Sequence, residues 1–515
     1  MVRKAAAGDD YYRKSGLKTK KSDRREETEA GRLAAYIIDR IPEGYDVYED
    51  NDINEVHLAD AIVETCGRYI KYCPQIGWMV YRDDDGCWTE EYAEAAVQKV
   101  ITHFGELLFE EATETNPGEK TFARRVLSSA GIGAVKNILK NNVKITVQEK
   151  AFDADGDTVN CKGDLYNMRE GDVRKAEPED LLRESTPCRA AALFKDRDGH
   201  WKMPEVPREF GKFLDKITSG KDGKMRKELA FYILFYFGYS LTGKCGASFF
   251  VNFHGEGQNG KSQLLELMVK LFGSYAMLLP KSLVIEQRYP SQFNLAGLPG
   301  KRLGVLLDAP DGKLNMDQLK EIISGEEVSL QRKYLADSKV RSVCKIAVGS
   351  NPKLKLKDTG MSVKRRIRMV PFDYTIPDDE IVDAIHEKIF KAEAPQILAL
   401  LIWFAHEYYK NGEGPKAFPA CAEVDEASAE YLKSENLVER WKDDRTNPVA
   451  GSIESSDELY KDFLKWCDDE GVRKKMSKNK FGDHLTILNP EKTRKDSKYY
   501  YCGVMLKYKL SSGSG

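Results

Sequence analysis

The chain has 515 residues, 41% hydrophobic and 31% charged, with 80 Lys+Arg against 82 Asp+Glu and a formal net charge of −2. That length suits about three or four domains, and the apolar share is enough for real cores. The near-neutral balance excludes a global basic field, so any nucleic-acid contact must rest on local patches.

Residues 1 to about 30 are charged and poor in apolar side chains and read as a disordered, solvated tail. Lys18, Lys20, Lys21, Arg24 and Arg25 give that tail a weak DNA-contacting potential. There is no apolar h-region of a signal peptide. From 31 to 195 the pattern is mixed α/β. Helices are expected near Arg32–Ile41, Val56–Tyr72, Glu91–Glu111 and Phe122–Leu139. Trp78–Tyr81 and Cys87–Thr89 read as a hairpin around an Asp-Gly turn, and residues 158–180 as short strands. The ten cysteines contain no C-x-x-C pair, and no histidine shares a metal-ligand spacing with Cys66, Cys73 and Cys87. They read as reduced thiols of a cytoplasmic protein.

Helices are expected over Val206–Ile217 and Met225–Leu241. The run Leu229–Leu241 is the most apolar in the chain, yet too short for the about 20 residues that cross a bilayer, so it reads as a buried helix and no membrane partner is expected.

The segment Phe249–Ser262, FFVNFHGEGQNGKS, has an apolar strand-like run, a glycine-rich turn, and then the helical run QLLELMVKLF. Residues Gly255, Glu256, Gly257, Gln258, Asn259, Gly260, Lys261 and Ser262 fit G-x-x-x-x-G-K-[ST], the phosphate-binding loop. Glycines let backbone N–H groups turn toward phosphate oxygens, and the helix N-terminus adds partial positive charge. Lys261 would reach the β- and γ-phosphates of ATP, and Ser262 would hold Mg2+. Downstream, Lys301–Asp308 is an apolar strand ending in a carboxylate that can hold Mg2+ through water. Asp311 is a second acid able to polarise water; both acids could instead cap the next turn. Leu314–Ile323 reads as a helix, Gly325–Tyr334 as a strand with a basic, aromatic tip, and Arg341–Gly349 as a strand. Asn351 follows that strand, either as a turn residue or as a group orienting water at the γ-phosphate. The basic run SVKRRIRMVPF, 362–372, is either a solvated face or the source of an arginine that crosses a subunit boundary.

Residues 378–412 and Asp425–Trp441 read as helical. Ser455 opens a capped helix to about Asp469, and Ser477 caps a second, KNKFGDHLTIL. Residues 492–510 read as two strands around a turn at Lys495–Lys498. Helix, helix and β-wing suggest a winged helix-turn-helix, which would contact DNA through Lys475, Lys478 and Lys480 or serve a protein partner. The terminal SSGSG reads as linker or tag.

In order, GEGQNGKS, KRLGVLLDAPD, GEEVSLQRKY, KIAVGSNPKL and SVKRRIRMVPF resemble the superfamily 3 helicases, and more narrowly the helicase half of phage and plasmid primase–helicases, the group that includes the poxvirus primase–helicase. NDINEVHLADAI, WMVYRDDDGCW and VNCKGDLYNMREG resemble the domain preceding that ATPase, and ELYKDFLKWCDDEG with KNKFGDHL and YYYCGVMLK its C-terminal winged helix. The resemblance implies a multidomain α/β protein with an AAA+-type P-loop ATPase core. The division is a tail at 1–35, an N-terminal α/β domain at 36–200, a helical linker or collar at 201–245, the ATPase at 246–375, a helical region at 376–445, the winged helix at 446–510, and a linker at 511–515.

It further implies catalysis by Lys261, Asp308, Asp311 and Asn351, with Arg366 or Arg365 as the arginine finger. Arg332 and Lys333 would grip one DNA strand from a hairpin in the channel of a homo-hexameric ring. Many relatives carry Ser-Glu where this chain has Leu307-Asp308, which leaves the general base open. Only about 45 residues precede the resemblance, so priming by this chain itself is not expected, and a separate primase or polymerase is a candidate partner. The implied activity is 3′-to-5′ translocation on single-stranded DNA and unwinding of forked DNA, in the host cytoplasm of a mobile element. The alternatives are an initiator or loader that does not unwind, and a winged-helix DNA-binding protein with a regulatory ATPase.

Overall fold

The computed structural model describes residues 28–42, 45, 54–112, 117–287, 295, 297–330, 338–356, 360–472, 475–495 and 498–511. The expected tail cations from Lys18 to Arg25, and the hairpin residues Arg332 and Lys333, lie outside the described residues.

Thr28 caps α1 (Glu29–Ile38), which begins inside the stretch read as tail, and Asn54 caps α2 (Glu55–Cys66). The helix expected to run to Tyr72 stops at Gly67. Ile70–Cys73 is instead strand β1, antiparallel to β2 (Gly77–Arg82), which pairs with β3 (Cys87–Thr89). Cross-strand pairing of Ile70 with Val80 and Tyr72 with Trp78 outweighs the helical periodicity there. After α3 (Ala93–Glu111), the single helix expected over Phe122–Leu139 is two, α4 (Pro117–Val126) and α5 (Ser129–Lys140). Ser128 makes the break: its Oγ accepts from the Gly131 N–H at 3.1 Å and restarts the helix. Strands β4 (Thr158–Cys161), β5 (Asp164–Asn167) and β6 (Asp172–Lys175) form an antiparallel meander.

Helices α6 (Arg208–Ile217) and α7 (Lys227–Leu241) lead to the central sheet. The elements that follow are β7 (Phe250–His254), α8 (Lys261–Phe272), β8 (Ala276–Leu278), α9 (Lys281–Val284), β9 (Leu303–Ala309) and α10 (Met316–Ile323). A hairpin of β10 (Glu327–Leu330) and β11 (Ser338–Arg341) comes next, then β12 (Lys345–Ser350), α11 (Met361–Lys364) and β13 (Ile367–Pro371). The strand expected over Arg341–Gly349 is therefore divided: Arg341 ends the hairpin and Lys345 begins a central strand. The five-stranded sheet has the order β13-β7-β12-β9-β8, with every pairing parallel. Register places His254, Ser350 and Ala309 at one carboxyl edge. In such sheets the crevice outside that edge is where ligands bind.

The long helix α12 (Ile385–Lys410) packs on α7, which is buried nearly all round. At Gly238 a Cβ would lie 2.3 Å from Phe404 Cβ, so glycine sets the distance between the two helices. The helix expected over Asp425–Trp441 is again two, α13 (Ala422–Glu435) and α14 (Leu437–Arg445), because Asn436 accepts from Glu439 N–H and caps the second. The rest is β14 (Thr446–Ser455), α15 (Ser456–Asp469), α16 (Lys478–Leu488), β15 (Lys492–Lys495), β16 (Lys498–Leu506) and α17 (Lys507–Ser511). Its sheet has the order β14-β16-β15 around Trp441, Phe463 and Phe481. Strand β14 was not foreseen. Pro448 and Gly451 interrupt its pattern, and its register shifts between Pro448 and Ile453.

The parallel sheet and the preceding meander share one core, which contains Val159, Tyr166, Phe253 and Leu264. Buried Arg302, at the amino edge of the sheet, donates to Thr158 O at 2.7 Å and to Leu241 O. Tyr275 accepts from the Asn160 N–H at 3.0 Å. Among the described residues, no helix is long and apolar enough to cross a membrane.

Candidate functional site

Strand β7 is buried on both faces, as a central parallel strand must be, and delivers the chain to the carboxyl edge of the sheet at His254. The loop that follows turns back into α8 through Gln258 (φ 48°) and Gly260 (φ 80°). A Cβ at Gly260 would lie 2.4 Å from Ile217 Cγ2 of α6, so only glycine lets the loop close there. Helix α8 has Gly260 at its N-cap and no side-chain cap, which leaves the first-turn N–H groups without a side-chain acceptor. This is the arrangement that receives an anion at a helix N-terminus.

Lys261 is buried at the head of α8. Its Nζ donates to Gly255 O at 2.8 Å, to Asn259 Oδ1 at 2.9 Å and to Asn351 Oδ1 at 3.0 Å. Burial pulls its pKa down to about 8, opposed by the charge of Asp308. Lys261, Asn351 and Asp308 therefore share one site, although they come from three separate segments. Ser262, Glu256 and Gln258 are exposed, and the space beside Gly257 is open. Asn259 Nδ2 donates to Phe372 O at 3.3 Å, Ile376 N to Gln258 O at 2.8 Å, and Gln258 pairs with Asp378.

Asp308 is exposed at the end of β9. Asp311 is held by Lys355 at 3.1 Å. Arg365 is exposed, while Arg366 is half-buried and donates to Ser362 O at 2.7 Å, its Nε buried without a partner. Burial and the neighbouring Arg365 lower its pKa. Arg366 accepts from Phe250 N at 2.9 Å through its carbonyl, at the start of β7. It thus sits at the amino edge of the sheet, roughly 15 Å of strand from the loop at the rise of a β-strand. Neither arginine is joined to Lys261 within one chain. Of the lysines expected on the C-terminal helix, Lys475 pairs with Asp468 and Lys478 with Asp457, both on α15, and Lys480 is exposed.

Some groups beside the loop were not foreseen. A cavity of 340 Å3 is lined by His254, Gly255, Glu256, Lys353, Phe372 and Asp373. His254 Nδ1 is buried there without a partner, and burial with the charges of Lys353 and Lys261 lowers its pKa. Its place before Gly255 was the available signal. A second cavity of 570 Å3 is lined by Phe213, Gln258, Gly260, Gln263, Ile376 and Ile385. Those apolar residues come from segments far apart in the chain, and no local pattern announces them.

Fold and site together define a mixed α/β protein built on a five-stranded parallel sheet with a glycine-rich strand–loop–helix at its carboxyl edge. Residues 59–219 match the family model described as D5 N terminal like, and residues 433–512 the one described as Poxvirus D5 protein-like. Between them, residues 253–366, which contain the loop and β9 to β12, match a family of unknown function, DUF5906. The chain is thus similar to D5-like proteins over two separate segments, one on each side of the loop-bearing part. Among solved structures, two apo forms of the NrS-1 C-terminal region are each 13% identical. Each match covers 88% of this chain and 100% of that one, with TM-scores of 0.48 and 0.44. A third, the A-form apo structure of the same region, is 15% identical over 85% of this chain and 87% of that one, with a TM-score of 0.45. No curated protein matches the chain.

Proposed function

We propose that this chain is an ATP-dependent replicative DNA helicase, and that the segment around Lys261 is a Walker A loop in an AAA+-type core. The observation that carries the reading is the buried ammonium of Lys261, bonded to Asn351 and facing Asp308 beside a helix N-terminus without a side-chain cap. A triphosphate fits this set: the first-turn N–H groups of α8 and the Lys261 ammonium are donors for phosphate oxygens. Ser262 and Asp308 would hold Mg2+, which neutralises charge developing on the transferred phosphoryl group. Asn351 would orient the attacking water, and Asp308 or Asp311 would accept its proton.

Arg366 stands away from the loop of its own chain, which supports a composite site. A neighbouring copy would supply Arg366, or Arg365, to stabilise the transition state, an effect worth about 10³ to 10⁵ in rate. Such head-to-tail contacts close into a ring, and the reading is a homo-hexamer. Turnover would move the hairpin that carries Arg332 and Lys333 along one DNA strand, 3′ to 5′, through sequence-independent and salt-sensitive phosphate contacts. The segment 446–510, which contains α15, α16 and the β15–β16 ribbon, is read as a winged helix on DNA.

The direct test is phosphate release from ATP with and without single-stranded DNA. The reading predicts Mg2+-dependent turnover that single strands stimulate and that Lys261→Ala abolishes, with DNA binding largely kept. Turnover that ignores DNA, or survives in Lys261→Ala, contradicts it.

A further inference from the structure

Among the described residues of the C-terminal part, the β15–β16 ribbon carries a set of exposed cations that no ion pair engages. All four described residues of β15, Lys492 to Lys495, are exposed. Among the described residues, no ion pair engages Lys492, Arg494, Lys495 or Lys498, whereas Lys475 and Lys478 are neutralised by Asp468 and Asp457. Register sets Lys495 directly opposite Lys498 at the ribbon tip, a like-charge pair that a polyanion would relieve.

The same register puts Arg494 opposite Tyr499 and Lys492 opposite Tyr501, so these four share one face. Tyr501 anchors that face: it is buried, and its hydroxyl donates to Gly482 O of α16 at 3.0 Å. Tyr499 stands clear and is 55% exposed. The Arg494 guanidinium lies 5.5 Å and the Lys492 ammonium 5.7 Å from its ring centroid. An exposed ring fixed on a rigid ribbon and flanked by unpaired cations suits a polymer that alternates flat π-faces with anions.

We propose that this ribbon binds single-stranded DNA, with a base stacked on Tyr499 and the flanking phosphates on Lys492 and Arg494. It rests on the proposed function only in taking DNA as the polymer. The contact is independent of the ATP loop and would hold the strand outside the ring's channel.

The test is fluorescence anisotropy of a labelled oligo-dT and of a hairpin duplex with the full chain, without nucleotide. Basal ATP turnover, measured without DNA, serves as the folding control. Tyr499→Ala is expected to weaken oligo-dT binding about tenfold, in the range for one stacked base, while Tyr499→Phe stays near wild type. Lys492→Ala with Arg494→Ala is expected to flatten the salt dependence of binding. Cross-linking from 5-iodouracil in the strand is expected to fall on Tyr499. Unchanged affinity in Tyr499→Ala, equal loss of duplex binding, or a Tyr499→Phe variant as weak as the alanine overturns the inference. A wild-type chain that binds no single strand contradicts the proposed function as well, which separates the two failures.

Discussion

Lys261 Nζ donates to Asn351 Oδ1 at 3.0 Å, joining the segments that follow two neighbouring parallel strands, β7 and β12. The bond holds the ammonium against the loop, and under the proposed ATPase reading Asn351 would orient the attacking water. Asn351→Ala is expected to lower ATP turnover on the order of 100-fold, the scale of losing one preorganised polar group at a reacting centre, with a smaller effect on nucleotide affinity. Steady-state phosphate release checks the split between kcat and KM. A change confined to KM would make Asn351 a binding residue only.

Lys261 also gives the site a pH signature. Its folded pKa of about 8 lies below the ordinary 10.5 because burial disfavours the ammonium. A bound phosphate favours the ammonium again, so nucleotide binding should take up a proton above about pH 8, and affinity should fall as pH rises through that value. Calorimetry in two buffers of different ionisation heat reads the uptake. For stability the sign is opposite to that of a paired lysine. Between about 8 and 10.5 the unfolded chain holds more protons than the folded one, so the unfolding free energy contributed by Lys261 rises with pH. Lys261→Met should remove that rise in denaturant titrations.

Gly260 closes the loop against Ile217. Gly260→Ala adds a Cβ 2.4 Å from Ile217 Cγ2 at a φ of 80°, and both the overlap and the left-handed backbone oppose it. The expected destabilisation is about 1–3 kcal/mol, with loss of nucleotide binding. A thermal melt and a fluorescent-nucleotide titration measure the two. A variant with wild-type melting and binding would mean that the loop does not need its present shape.

The position of Arg366 at the far edge of the sheet makes subunit complementation the natural test of a composite site. Lys261→Ala and Arg366→Ala should each be inactive alone. Mixed at random, about a quarter of interfaces would join an intact Lys261 to an intact Arg366, so DNA-stimulated turnover should return in part. No recovery in rings shown to mix would place the arginine elsewhere.

Much of the fold was legible because local signals agreed with tertiary ones. The apolar run before Gly255, the Ser455 and Ser477 caps and the hydrophobic run over Leu229–Leu241 all mark elements close to those found. Boundaries slipped where a capping side chain, Ser128 or Asn436, split a continuous helical period. They slipped again where cross-strand pairing captured Ile70–Cys73 and where β14 carries Pro448. In the site, spacing named Lys261 and strand ends named Asp308 and Asn351. It could not show that Asp311 is engaged by Lys355, or that Ile376 and Ile385 face the loop across a cavity, because those contacts depend on segments brought together only by folding.

The most direct measurement is strand displacement on forked duplexes with single-stranded tails of either polarity, comparing the wild-type chain with Lys261→Ala. The account predicts ATP-dependent release of the displaced strand only when the enzyme can load on a 3′ tail, with none from Lys261→Ala despite retained DNA binding. Displacement by Lys261→Ala, or ATP turnover by the wild-type chain with no displacement on either fork, would contradict it.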